Sequence, residues 1–264
     1  MKHKIITFGE LMLRLSPDNN ERFTQAHSYE AVYGGGEANT AVSLANFNVD
    51  TRYVTKLPEH TIGQSAVNSL RQYGVGVEHI VRGGEQIGIY FLEKKTSQRP
   101  TNVIYNRNGS AFALATKEDF DWNSIFEGAT WFHFSGITPA ISDNMAEITI
   151  EACKEAKKRN ITVSCDLNYR SKLWSSEKAN KVMSEVCKYV DICIANEDDA
   201  VGIFGMDASK SDKEKNAYIA EELTKMFPNF KMVASVWRTE TSITTFKLQS
   251  MIYTEGKAYY SQEF

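Results

Sequence analysis

Short β-prone runs alternate with stretches of helical periodicity along most of this chain, and that rhythm restricts its fold more than any other feature. "KIITFG" precedes a helix pattern over residues 37–46, and "TRYVTK" precedes one over about 63–73 that Gly74 closes. Further on, "TWFHFSG" leads into a helix near 143–159, "ITVSCDLN" into one near 176–189, and "VDICIANE" into 198–204. Repeated strand-then-helix units bury both faces of a parallel sheet, so an α/β architecture with a mostly parallel central sheet flanked by helices is expected. At 264 residues the chain can form one large α/β domain, or one with an appendage.

Composition excludes several partner classes. A net charge of −3, with Lys, Arg, Asp and Glu interspersed, leaves no basic stripe for nucleic acid and no polybasic patch for a membrane. The apolar run in "MKHKIITFGE" is too short for a signal peptide or a membrane span, so a cytoplasmic protein acting on small molecules is expected. Cys153, Cys165, Cys187 and Cys193 form no C-x-x-C pair, which predicts buried, reduced thiols rather than a zinc site or a disulfide framework.

In an open α/β sheet the ligand crevice lies at the carboxyl ends of the strands. There the chain turns small or polar at five places: Gly9 and Glu10, Ser135 and Gly136, Asp166 and Asn168, Asn196 and Glu197, Ser235 and Arg238. Two segments break the rhythm. "QIGIYFLEKKTSQRPTNVIYNRNGSA", residues 86–111, carries two β-prone runs around a polar loop, as a hairpin does. Together with "LMLRLSP" and "SYEAVYG" it is expected to build a small sheet from about 11–34 and 86–111, either a lid or an edge extension. Ile87, Ile89 and Phe91 on alternate residues give that sheet an apolar face, to be covered by a second copy in a homodimer or by the chain itself. The closing run "ITTFKLQSMIYTEGKAYYSQEF" predicts a hairpin turning at "TEGK".

"AVYGGGEANTAVSLA" places three glycines directly before a helix of small residues. One glycine serves a turn; three let the backbone approach something closely, with helix-opening amides facing it. Neither a G-x-x-x-x-G-K-[ST] loop nor a G-x-G-x-x-G turn is present, which disfavours a nicotinamide-dependent oxidoreductase. The hairpin offers Tyr90, Tyr105 and Arg107, and "DLNYR" offers Asp166, Asn168 and Arg170. If both arginines face one cleft, their planar forks suit a carboxylate or phosphate better than a neutral ligand.

"GGGEANTAVSLA", "DLNYR", "ANEDDA" and "SVWRTE", in that order, resemble the ribokinase, or PfkB, family of carbohydrate kinases over essentially the whole chain. Within it, "TFGELMLRLSP", "KLPEHTIGQSAV", "GIYFLE", "YNRNGSA" and "DLNYR" are most similar to the 2-keto-3-deoxygluconate kinases. The resemblance implies a ribokinase-like α/β core with a β-sheet lid, and ATP-dependent phosphorylation of a sugar acid; a neutral-sugar kinase such as a fructokinase is the nearest alternative. It assigns Gly34, Gly35 and Asn39 to substrate hydroxyls and Tyr90, Tyr105, Arg107 and Arg170 to the sugar acid and its carboxylate. It assigns Asn168, Asn196, Ser235 and Arg238 to ATP, with Mg²⁺ arriving on the nucleotide. Asp199 stands where the family usually shows a glutamate near the hydrated metal, so its contact would run through water. A homodimer clasped through the lids is also implied. The family's glycine-rich second signature, with its aspartate base, is not found before Phe264, so the base is expected beyond that residue; a sugar-binding relative lacking the base is the non-catalytic alternative.

Overall fold

The computed structural model describes residues 3–96, 98–207, 212–242 and 245–264. Ser97 in the expected hairpin loop, and Ile243 and Thr244 at the head of the closing run, lie outside the described residues. The chain divides into two compact units that meet in sequence at Ala129 and Thr130.

In the first unit, β1 (Lys4–Phe8) pairs in parallel with β4 (Asp50–Leu57), and β4 with β5 (Ile80–Arg82). Ile6, Thr7 and Phe8 are all fully buried, as expected for a parallel strand covered on both faces. Helix α1 (Gly36–Asn46) buries Ala38 and Ala41, whose small side chains permit close packing, and α2 (Thr61–Arg71) buries Ala66, Val67 and Leu70. These residues share one core with Leu11, Tyr53, Leu57, Val75 and Ile87. A second cluster gathers Phe112, Phe120 and Trp122 edge-on around Phe8, with ring centroids 5.2–5.4 Å away; Trp122 opens the short helix α3 (Trp122–Ile125).

The chain leaves these elements to build a small second sheet of order β3-β2-β6-β7 from β2 (Met12–Pro17), β3 (Tyr29–Gly34), β6 (Ile89–Glu93) and β7 (Asn102–Asn106). β2 is antiparallel to β3 and parallel to β6, and β6 and β7 form the hairpin. The apolar residues of this sheet are covered within the chain only in part. Ile87 joins the core, Ile89 packs against it, and Phe91 meets Phe23 and Tyr29 edge-on at 6.3 and 6.4 Å.

In the second unit, β8 (Trp131–Ser135), β9 (Thr162–Asp166), β10 (Ile192–Ile194) and β11 (Met232–Glu240) run in parallel, in that order. The antiparallel β12 (Phe246–Thr254) and β13 (Lys257–Tyr260) follow, turning at Glu255 and Gly256 with φ of 50° and 75° as a tight hairpin requires. The helices are α4 (Ile137–Ala140), α5 (Asp143–Lys158), α6 (Ser176–Cys187), α7 (Glu197–Phe204) and α8 (Asp212–Met226). Ser142 and Ser175 cap α5 and α6 by accepting from the main-chain N–H of Met145 and Lys178. All four cysteines are buried, and burial pushes each thiol above its ordinary value.

The strand continuing past Ser235 corrects one expectation. Ser235 and Arg238 lie inside β11, opposite Met251 and Leu248 of β12, rather than at a strand end. Ser235 is level with the end of β10, since Ala195 donates to the Ala234 carbonyl, and β11 runs on because β12 supplies its ladder partners.

Candidate functional site

The three glycines stand in three different surroundings, and only Gly35 is required by close approach. A Cβ on Gly34 would meet only the Tyr90 hydroxyl at 3.8 Å and the Asn39 side-chain oxygen at 3.9 Å, an ordinary spacing that leaves its surface open. A Cβ on Gly35 would overlap the Glu10 carbonyl. Its φ of −173° is extended backbone open to any residue, so close approach, not conformation, demands glycine there. At Gly36 a Cβ would meet nothing within 4 Å. Gly34 and Asn39 also line a pocket of about 460 Å³ with Tyr33, Val42, Leu70 and Tyr73.

From Gly34 a chain of contacts runs through Tyr90 and Tyr105 to Arg107. Tyr90 and Tyr105 oppose each other across the β6–β7 ladder, with ring centroids 5.9 Å apart. The Arg107 guanidinium lies 5.9 Å from the Tyr105 ring centre. Asn39, Gly34, Tyr90, Tyr105 and Arg107 thus form one continuous polar group, with Gly35 seated behind it on Glu10.

Arg107 itself departs from expectation. It is 6% exposed and ion-paired inside the chain, not held as an unpaired cation. Its Nε donates to Glu10 Oε2 at 2.7 Å, while the Ser110 hydroxyl donates to Oε1 at 2.5 Å. Burial pushes the Glu10 carboxyl above the ordinary carboxylate range, against the pull of Arg107 and the Ser110 hydrogen bond. Nη2 also contacts Glu10 Oε2, so the carboxylate holds the guanidinium through two of its nitrogens. Glu10 and Ser110 are the residues sequence reasoning missed as a pair. The available signal was a carboxylate set among apolar neighbours in "FGELML", which needs a partner if buried.

In the second unit the loop after β9 is fixed by Asp199. Asp199 Oδ1 accepts from the Tyr169 N–H at 2.7 Å and Oδ2 from the Asn196 N–H at 3.0 Å, while the Asn196 side chain accepts from the Asp199 N–H. This reciprocal cap starts α7. Burial raises the Asp199 carboxyl, opposed by the Asn196 and Tyr169 amides and by the nearby Arg170 charge. Both of its oxygens are thus engaged by main chain and the residue is 2% exposed, so a hydrated metal would have to share them.

Asn168 sits at φ 39° and donates weakly to Asp166 at 3.5 Å. Arg170 is exposed and forms no ion pair among the described residues. The Ser235 hydroxyl is buried and donates to the Ala195 carbonyl at 2.7 Å. Arg238 stands apart: it pairs with Glu240 at 2.8 Å and lies 4.7 Å from the Phe246 ring centre. The structure therefore gathers Asn168, Arg170, Asn196 and Asp199 on one loop and helix start, with Ser235 level with them and Arg238 farther along β11.

Residues 2–229 match the pfkB family of carbohydrate kinases. A 2-dehydro-3-deoxygalactonokinase of Haloferax volcanii is 37% identical over 209 residues, 78% of this chain and 65% of that protein. A 2-dehydro-3-deoxygluconokinase of Thermoproteus tenax is 28% identical over 76% of this chain and 62% of its own length. The chain thus spans less than two thirds of these curated relatives. The crystal structure of a 2-dehydro-3-deoxygluconokinase from Thermotoga maritima superposes with a TM-score of 0.96 at 45% identity, covering all of this chain and 80% of that one. The fold is ribokinase-like α/β, and the chain belongs to the pfkB family of carbohydrate kinases.

Proposed function

We propose that this protein transfers the γ-phosphoryl group of ATP to a hydroxyl of a sugar acid, with 2-keto-3-deoxygluconate as the substrate and its 6-phosphate as the product. The observation that carries this reading is the buried Arg107 guanidinium, held on Glu10 beside Tyr105, with Tyr90 opposite Tyr105 and the open surface of Gly34 near the Tyr90 hydroxyl. Likeness to kinases named for deoxy-keto sugar acids gives the same class. In the transfer, the sugar oxygen bonds to the γ-phosphorus as the bond to the bridging oxygen breaks; ADP leaves and the hydroxyl proton passes to a base. The chain's described part in this is positioning, and no described residue is assigned as the base.

Gly34, Gly35 and Asn39 would take substrate hydroxyls, and Tyr90, Tyr105 and Arg107 the sugar-acid end. Arg170 would serve as a cation for an anionic ligand. Asn168, Asn196, Ser235 and Arg238 would serve the nucleotide, although the Ser235 hydroxyl and the Arg238 fork must first exchange their present partners. No group of three or more His, Cys, Asp or Glu among the described residues is placed to hold a metal, and Mg²⁺ would arrive on ATP with Asp199 reaching it through water. No helix among the described residues is long and apolar enough to cross a membrane, and a cytoplasmic setting goes with this reading. So does a homodimer through the small sheet, which would cover the exposed Tyr29 and Ile104.

The Haloferax relative favours a second substrate, 2-keto-3-deoxygalactonate, which differs in configuration at one hydroxyl carbon. ADP release measured with each acid, with fructose and with ATP alone tests the proposal. Sugar-acid-dependent release is expected. Release with fructose but with neither acid would replace it with the neutral-sugar reading.

A further inference from the structure

The small sheet is joined to the rest of the first unit at four places, and all four meet one side chain's residue. The chain enters β2 through residues 9–11, leaves β3 through 34–36, enters β6 through 86–88 and leaves β7 through 107–111. Glu10 lies on the first of these. Its carbonyl is the atom against which Gly35, on the second, is packed. Its Oε1 is the atom a Cβ on Gly88, on the third, would meet at 2.5 Å. Its two carboxylate oxygens accept from Ser110 and Arg107, on the fourth, 100 and 97 residues away.

Main-chain bonds hold the third crossing on both sides: Leu13 of β2 donates its N–H to the Gly88 carbonyl at 2.9 Å, and Ala111 of the fourth crossing donates to the Gln86 carbonyl at 2.8 Å. The Ser110 hydroxyl also accepts from the Ala113 N–H at 3.1 Å, so it cannot turn away from Glu10 without orphaning a buried amide. We infer that Glu10 is a positioning residue that locks the four crossings of the small sheet and fixes the Arg107 guanidinium in the orientation it presents to a ligand. The role rests on the sugar-acid reading only for the identity of that ligand.

Glu10 contributes preorganisation. A free arginine side chain carries about 2 kcal/mol of rotamer entropy, and binding through it costs part of that unless the fork is already held. Glu10 holds it from below while Tyr105 lies beside it, and Glu10 is itself held by Ser110. An arginine displaced by as little as about 1 Å can lose about a hundredfold in a positioning role.

The experiment combines a binding cycle with hydrogen exchange on the full chain. Glu10→Gln, Arg107→Lys and the double variant are titrated calorimetrically with 2-keto-3-deoxygluconate and, separately, with ATP. Glu10→Gln is expected to weaken sugar-acid binding about ten- to a hundredfold while leaving ATP affinity within about twofold. The double variant is expected to bind no worse than Arg107→Lys, because Glu10 acts through Arg107. Multiplying effects in the double variant, or unchanged binding in Glu10→Gln, overturn the inference.

Should Glu10→Gln fail to fold, Ser110→Ala removes one hold on the carboxylate and leaves the ion pair; a smaller loss confined to the acid supports the role, and none overturns it. If the unmodified chain binds no sugar acid, the proposed substrate falls, and amide exchange still decides on Glu10. Exchange at Leu13 and Ala111 should quicken at least about tenfold in Glu10→Gln or Ser110→Ala, with Val163 of the second unit unchanged. Unaltered exchange at both amides would remove the locking role.

Discussion

Two loops of this molecule each present an arginine, and they hold it in opposite ways. Arg107, in the first unit, is buried, paired with Glu10 and set beside Tyr105. Arg170, in the second, is exposed, and its loop is fixed through the main chain, by the bond from the Tyr169 N–H to Asp199. The first arrangement offers N–H donors at little entropic cost, but with the positive charge largely answered by a carboxylate. The second offers a whole charge on a side chain that must still be ordered. Geometry and charge are therefore supplied separately. Under the proposed function the held donors around Arg107 serve recognition by shape, and Arg170 offers its charge to an anionic ligand of its own unit.

The comparison breaks first at Arg107. Arg107→Ala leaves Glu10 buried and unpaired, which should cost about 3–5 kcal/mol of stability in denaturant unfolding, whereas Arg170→Ala should stay within about 0.5 kcal/mol. Similar losses at both positions would mean that the Glu10 pair is not as buried as described.

Next in size come the glycines. Gly35→Ala drives a methyl into the Glu10 carbonyl and should cost about 1–3 kcal/mol, visible as a lowered melting temperature, while Gly36→Ala should be neutral or slightly stabilising. If both were tolerated alike, the close approach at Gly35 would be wrong.

The cap that steadies the Arg170 loop is weaker still. Asn196→Ala removes the side-chain acceptor for the Asp199 amide and should cost about 1 kcal/mol by the same measurement.

The smallest effect is one of pH, in the second unit. Burial pushes the Asp191 carboxyl up, but the Val163 amide, Lys157 and Lys231 outweigh it and hold the group below the ordinary carboxylate value. A depressed folded value means that Asp191 contributes stability above its unfolded value of about 3.9, and that this contribution is lost as pH falls through the folded value. Asp191→Asn should therefore flatten the acid limb of the stability profile; an unchanged limb would show that other carboxylates dominate it.

Much of the fold was legible because parallel strands covered on both faces show as apolar runs, and because Gly74 marks a helix end. Helix α8 was not, since "DKEKNAYIAEELTKM" is rich in charge and has only a short buried stripe at Ile219, Ala220 and Leu223. The continuation of β11 past Ser235 was missed because its outer half is largely exposed and ends in Arg238, Thr239 and Glu240, and pairing with β12 keeps it extended.

Gly34, Tyr90 and Tyr105 could be named from local patterns and Asn39 from the family resemblance; a Cβ on Gly34 would lie 3.8 Å from the Tyr90 hydroxyl and 3.9 Å from the Asn39 side-chain oxygen, and the Tyr90 and Tyr105 ring centroids are 5.9 Å apart. Glu10 with Arg107 could not, because a contact between residues 97 apart leaves no local trace. That contact shows Arg107 as a donor already held by a carboxylate and not an unpaired cation.

The most direct test is calorimetric titration of the chain with 2-keto-3-deoxygluconate and with fructose, repeated on Arg170→Ala. The account predicts selective binding of the acid, with Arg170→Ala erasing about tenfold or more of that selectivity while leaving unfolding free energy nearly unchanged. Equal binding of the two sugars, or a selectivity that survives the loss of Arg170, would contradict the anion-recognising role proposed for Arg170 and, with it, the sugar-acid assignment.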